Sequence, residues 1–106
     1  MVNQYDVYWI ILDPTIGSEI NKTRPCLVIS PNESNKYLNT LLIAPITSTI
    51  RNFPMRINIT LEGKNGQIAL DQIRCIDKER LKNKIDTLSK SKIQSVKNHL
   101  KNYLID

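Results

Sequence analysis

Along the first two-thirds of the chain, apolar positions come in short runs with a period near two. Each run is closed by a turn signal, and this pattern predicts a small antiparallel sheet or barrel. Tyr5 to Leu12 (YDVYWIIL) is aromatic and β-branched and stops at Asp13-Pro14, where proline removes a ladder donor. A polar loop over 13–23 contains Gly17, and Pro25 to Ser30 then forms a second strand, apolar enough for burial on both faces and ended by Pro31. Asn32 to Asn39 is polar with room for one turn of helix. Thr40 to Ile46 (TLLIAPI) is the third strand, followed by a loop opened by Thr47-Ser48-Thr49. Met55 to Leu61 alternates, with Met55, Ile57, Ile59 and Leu61 on one face, so this strand is half exposed. Glu62 to Gly66 is a turn, and Gln67 to Ile76 is one long strand or two short ones.

Near the C-terminus the period changes to 3.6. Ile93, Val96, Leu100, Tyr103 and Leu104 form one helical stripe with Ser89 at the N-cap position, and Lys92, Lys97 and Lys101 lie off it. The expected fold is mainly β with a C-terminal helix packed on the sheet. Five to seven strands in a chain of 106 residues suggest a single-domain, SH3-like small barrel spanning 1–106.

Composition adds a charge bias to this picture. The net charge of +5 lies entirely in residues 54–106, where eleven basic side chains face six acidic ones. Such a half favours polyanions or an acidic protein partner, or it is simply a solvated basic face; the richness in Ile, Asn and Lys also fits AT-rich codon usage. Cys26 and Cys75 have apolar neighbours and are expected to be reduced core residues. With no signal peptide and no membrane-length apolar run, the cytoplasm is the expected compartment.

Candidate chemistry is limited by what is missing. One His and two separated Cys cannot complete a structural zinc set, and no phosphate-binding glycine motif occurs, so no metal and no cofactor is expected. His99, the only histidine, falls on the lysine-rich helix. Catalysis is therefore expected to proceed without histidine or metal. Polar residues gather in loops 13–24 and 47–54, and Arg24-Pro25 directly before an apolar strand can aim a planar guanidinium at a phosphate.

Three ordered segments carry a resemblance over nearly the whole chain: DVYWIILDPTIGSEINKTRPCLVIS (6–30), APITS (44–48) and LDQIRCIDKERL (70–81). They resemble the MazF/PemK family of type II toxin–antitoxin toxins, the mRNA interferases. The resemblance implies an SH3-like barrel, a homodimer, and a cognate acidic antitoxin of the MazE or PemI kind. It also implies metal-free, sequence-selective cleavage of single-stranded RNA by 2′-OH attack, giving 2′,3′-cyclic phosphate and 5′-OH ends. On this match Arg24 takes the catalytic arginine position, Thr47 the hydroxyl that bonds the phosphate or the 2′-oxygen, and Glu19 the carboxylate for base or orienting work. Ser18 stands where some members have histidine, so a mechanism resting on that histidine does not transfer. Ser18, Ser48, Phe53, Asp71 and Gln72 are the candidate RNA contacts. Phe53 either stacks on a base or anchors its loop; Asp71 and Gln72 match a pair near the RNA path that reads base edges, the alternative being Gln72 and Arg74 as structural hydrogen-bonders at a strand edge. The alternative is a non-enzymatic toxin like CcdB, which shares the fold and poisons DNA gyrase through protein contacts.

Overall fold

The computed structural model describes residues 1–105. Seven strands, β1 (Asp6–Ile11), β2 (Thr23–Val28), β3 (Thr40–Thr47), β4 (Arg56–Leu61), β5 (Lys64–Ala69), β6 (Arg74–Asp77) and β7 (Leu81–Thr87), form one curled, half-barrel sheet. A short helix, α1 (Asn32–Tyr37), links β2 to β3, and a longer one, α2 (Lys90–Leu104), closes the chain. The order is β4-β5-β3-β2-β1-β7, with β6 also on β3.

β3 organises the sheet. One edge pairs with β2, Cys26 opposite Pro45. The other edge pairs first with β6 (Leu42 opposite Cys75) and then with β5 (Ile46 opposite Ile68). The run 67–76 is therefore two strands, separated by a 3-10 turn over Leu70–Gln72. The turn between β4 and β5 is also tighter than the sequence suggests. Glu62 (φ 50°) and Gly63 (φ 77°) form the left-handed pair of a two-residue hairpin, and β5 starts at Lys64.

Apolar side chains fill both faces. Val7, Leu27, Ala44, Ile46, Ile57 and Ile68 form one layer, with Leu88 and the fully buried Val96 of α2 packed in. Ile10, Leu12, Cys26, Val28, Leu41 and Ile43 form the other, covered by Val2, Ile20 and Leu81. Burial of β2 on both faces is thus observed. Ser89 caps α2, its Oγ accepting the Lys92 N–H at 3.3 Å. The expected helical stripe packs only through Leu100: Tyr103 and Leu104 are 50% and 62% exposed because the core cluster ends before the last turn.

Two further features differ from expectation. Cys75 is exposed, because alternation along the short strand β6 turns Ile76 inward and its neighbour outward. β7 has no counterpart in the sequence reading. It is an edge strand whose pairing with β1 is broken by two register shifts, so Leu81 and Ile85 are its only half-buried apolar positions. Buried Asp6 fastens it, accepting from Thr87 Oγ1 at 2.9 Å and pairing with Lys84 at 3.4 Å.

Candidate active site

Because β2 and β3 run antiparallel, β2 begins where β3 ends. The β2–β3 ladder ends at Cys26 opposite Pro45; Arg24 and Thr47 lie just beyond it, Arg24 paired with Ile10 of β1 and Thr47 with Gln67 of β5. Half-buried Arg24 donates Nε to the Asn21 carbonyl at 3.1 Å, which orients the guanidinium plane. Thr47 is 6% exposed, and its Oγ1 accepts the Thr49 N–H at 3.1 Å. The hydroxyl proton is left for donation. Gly66 allows the β4–β5 hairpin to close on this strand end, since a Cβ there would stand 3.0 Å from the Thr47 carbonyl oxygen.

Arg24, Thr47 and Ser48 line a cleft of about 550 Å³ whose apolar side includes Trp9, Pro25 and Leu61. Ser18, Glu19 and Gln72 line a neighbouring cleft of about 290 Å³ with Pro45 and Arg74. Consecutive residues of β3, Pro45 and Ile46, contribute one to each. Phe53 and Asp71 line neither cleft. Asp71 is held by both nitrogens of an Arg56 fork, at 2.7 and 3.2 Å, and the same guanidinium lies 5.3 Å from the centre of the Phe53 ring. A larger cavity of about 680 Å³, between β4 and the start of α2, touches neither Arg24 nor Thr47.

Loop 13–22 is fastened by side chains far from it in sequence. Gln72 Oε1 accepts the Ile20 N–H at 2.7 Å, and Arg74 donates to the Leu12 carbonyl at 3.0 Å. Arg80 donates to the carbonyls of Ile11 and Asp13 at 3.0 and 2.7 Å. Glu19 closes a turn inside the loop, Oε1 accepting the Ile16 N–H at 2.6 Å. Gln72 therefore has a structural bond of the kind weighed from the sequence. Arg80 and the buried Gln67, whose amide holds the 48–54 loop, are positioning groups that the sequence reading did not single out; their partners are 67 to 69 and 16 residues away, beyond any local pattern.

Burial pushes the Cys26 thiol up to about 12, although the nearby Arg74 and Arg24 guanidinium groups act in the opposite direction. A thiol so placed is protonated near neutrality and is no nucleophile. His99 keeps its Nδ1 2.8 Å from the Ser95 carbonyl on α2 and lines none of these clefts. Among the described residues, no three His, Cys, Asp or Glu side chains group as a metal site, and no helix is long and apolar enough to cross a membrane.

Residues 3–104 match the family model described as PemK-like, MazF-like toxin of type II toxin–antitoxin system. The chain belongs to this toxin family. Endoribonuclease MazF of Staphylococcus epidermidis is 38% identical to it over 106 residues, covering 94% of this chain and 88% of the relative. Solved structures of the same shape include MazF from Deinococcus radiodurans, with a TM-score of 0.86 at 23% identity, covering 97% of this chain and 96% of that one. A mycobacterial endoribonuclease in complex with its cognate antitoxin gives 0.83 at 18% identity, covering 98% and 95%. The barrel-like fold expected of a MazF-like toxin is thus the fold observed, and Arg24 and Thr47 line one cleft in it.

Proposed function

We propose that this MazF-like toxin is a metal-independent endoribonuclease that cuts single-stranded RNA at selected sequences. The observation that carries the proposal is the convergence of Arg24 and Thr47 on one cleft at adjoining strand ends. The 2′-oxygen of the RNA attacks the adjacent phosphorus and the bond to the 5′-oxygen breaks. The ends are a 2′,3′-cyclic phosphate and a 5′-OH, and DNA, lacking the nucleophile, stays intact. Arg24 places its charge and terminal N–H donors on the phosphorane oxygens, and Thr47 donates its hydroxyl to the same group. Glu19 has one oxygen on the Ile16 N–H and is the carboxylate assigned to take the 2′-OH proton. The leaving 5′-oxygen takes up a proton from solvent water as its bond to phosphorus breaks. Most of the rate therefore comes from phosphate positioning and charge.

Ser18 and Ser48 sit beside these groups as RNA contacts; Phe53, Asp71 and Gln72 shape the surface around them through the bonds described above. The working protein is a homodimer in the cytoplasm, restrained by an acidic antitoxin drawn to a chain of net charge +5. The antitoxin-bound mycobacterial neighbour and the activity named for the staphylococcal relative support this reading over gyrase poisoning. The test is incubation of the purified protein, with EDTA, with one long defined RNA and its DNA counterpart, mapping cut positions and end chemistry. RNA-only cuts with cyclic-phosphate ends are expected, and intact RNA in the presence of a folded dimer overturns the proposal.

A further inference from the structure

Gln67 is polar, lies outside the nuclease scheme, and is only 4% exposed. Its backbone pairs with Thr47 on the final rung of the β3–β5 ladder, so the two side chains share a face. Its amide reaches under the 48–54 loop. Oε1 accepts the Arg51 N–H at 3.0 Å, Nε2 donates to the Arg51 carbonyl at 3.0 Å, and Nε2 also donates to Asn58 Oδ1 at 2.9 Å. Accepting from and donating to the backbone of one residue is what a neighbouring strand does, here performed by a side chain. A single residue thus ties the strand end bearing the reactive hydroxyl to the backbone four positions downstream. Asn58, opposite Gln67 on β4, orients the amide. Arg56 holds the loop's far end through the Phe53 ring.

We infer that Gln67 is a positioning residue for RNA selection, fixing the course of loop 48–54 relative to Thr47 and thereby which nucleotides fit beside the scissile phosphate. The inference deepens the endoribonuclease reading and rests on it. Loss of the amide frees the loop backbone at Arg51 while Arg24 and Thr47 stay on their strands. Discrimination between sites then falls more than cleavage itself.

The test compares wild type with Gln67→Ala, and with the near-isosteric Gln67→Glu, which loses both donors, in case the alanine variant does not fold. Cleavage rates are measured at every cut site of one long RNA, at a temperature where circular dichroism shows each protein folded. Backbone amide exchange over 48–54 is followed in parallel. Exchange in the loop is expected to quicken by about tenfold or more. The ratio of rates between the strongest and weakest sites is expected to compress by about fivefold or more, with a milder version in Asn58→Ala. A site ratio unchanged within about twofold, with rates lowered uniformly, overturns the inference and leaves a merely structural role. Intact RNA with the wild-type protein would remove the endoribonuclease reading and RNA selection with it, whereas unchanged loop exchange in the variants would overturn the clamp alone.

Discussion

Replacing Arg24 by alanine separates stability from chemistry, because among the described residues this side chain makes one hydrogen bond, from Nε to the Asn21 carbonyl at 3.1 Å. A bond of that kind at a half-buried position contributes about 0.5–1.5 kcal/mol to folding. In a domain of this size each kcal/mol moves the melting temperature by roughly 4–8 °C, so the variant should melt within about 10 °C of wild type. Its effect on cleavage should be much larger. One preorganised donor at a developing oxyanion is worth about 10²–10³ in rate, and a guanidinium adds its charge to the donors it presents. A loss of at least about 10³, near 4 kcal/mol of transition-state stabilisation, is expected. Arg24→Lys keeps the charge but not the fork and should fall between, at about 10–10² below wild type. Single-turnover cleavage of a short RNA containing one mapped site, with EDTA present, measures the rate, and circular dichroism melts measure the fold. A folded Arg24→Ala protein cutting within about tenfold of wild type would refute the assignment of Arg24 to the phosphate.

Thr47→Ala removes the acceptor of the Thr49 N–H as well as the free proton, and should cost more than about tenfold in turnover; Thr47→Ser should recover most of it, and equal loss in both variants would show that only strand-end packing matters. Burial holds the Cys26 thiol protonated and out of reach of reagent, so iodoacetamide should label exposed Cys75 and spare Cys26 in the native protein; equal labelling by mass spectrometry would contradict the burial. The folded state keeps the Cys26 proton to a higher pH than the unfolded chain. Its contribution to stability is therefore whole below about pH 9 and declines as pH rises toward 12, which chemical denaturation across that range would show. Val96→Ala empties space at the only fully buried position of α2 and should lower stability by about 2 kcal/mol in urea melts, with a change below about 0.5 kcal/mol contradicting the docking of the helix.

Most strands were readable because their burial follows from local alternation. Met55 to Leu61 and Tyr5 to Leu12 each present a face that must be covered, and β4 and β1 lie within one residue of those bounds. β7 escaped because LKNKIDT has apolar residues four apart rather than two, a spacing made workable by the register shifts against β1. Cys75 has an apolar neighbour in sequence, yet its exposure depends on which way β6 turns against β3. The two sides of the reactive margin were legible to different degrees. Arg24 before an apolar strand and Thr47 after one are visible as strand-end residues, whereas the contacts of Asp71 and Phe53 with Arg56 bring together residues up to 18 positions apart that no local pattern links.

What the sequence determined by itself was every strand but β7, the helix with its Ser89 cap, and the motifs that place the chain among the MazF-like toxins; periodicity and capping act over a few residues, and motifs survive as strings. Tertiary structure alone decided which polar residues are free to act. The bonds from Gln67 to Arg51, from Gln72 to Ile20 and from Arg80 to Ile11 and Asp13 span 16 to 69 positions. A side chain's hydrogen-bonding capacity is assigned by whatever the fold brings beside it, and no local pattern encodes that choice.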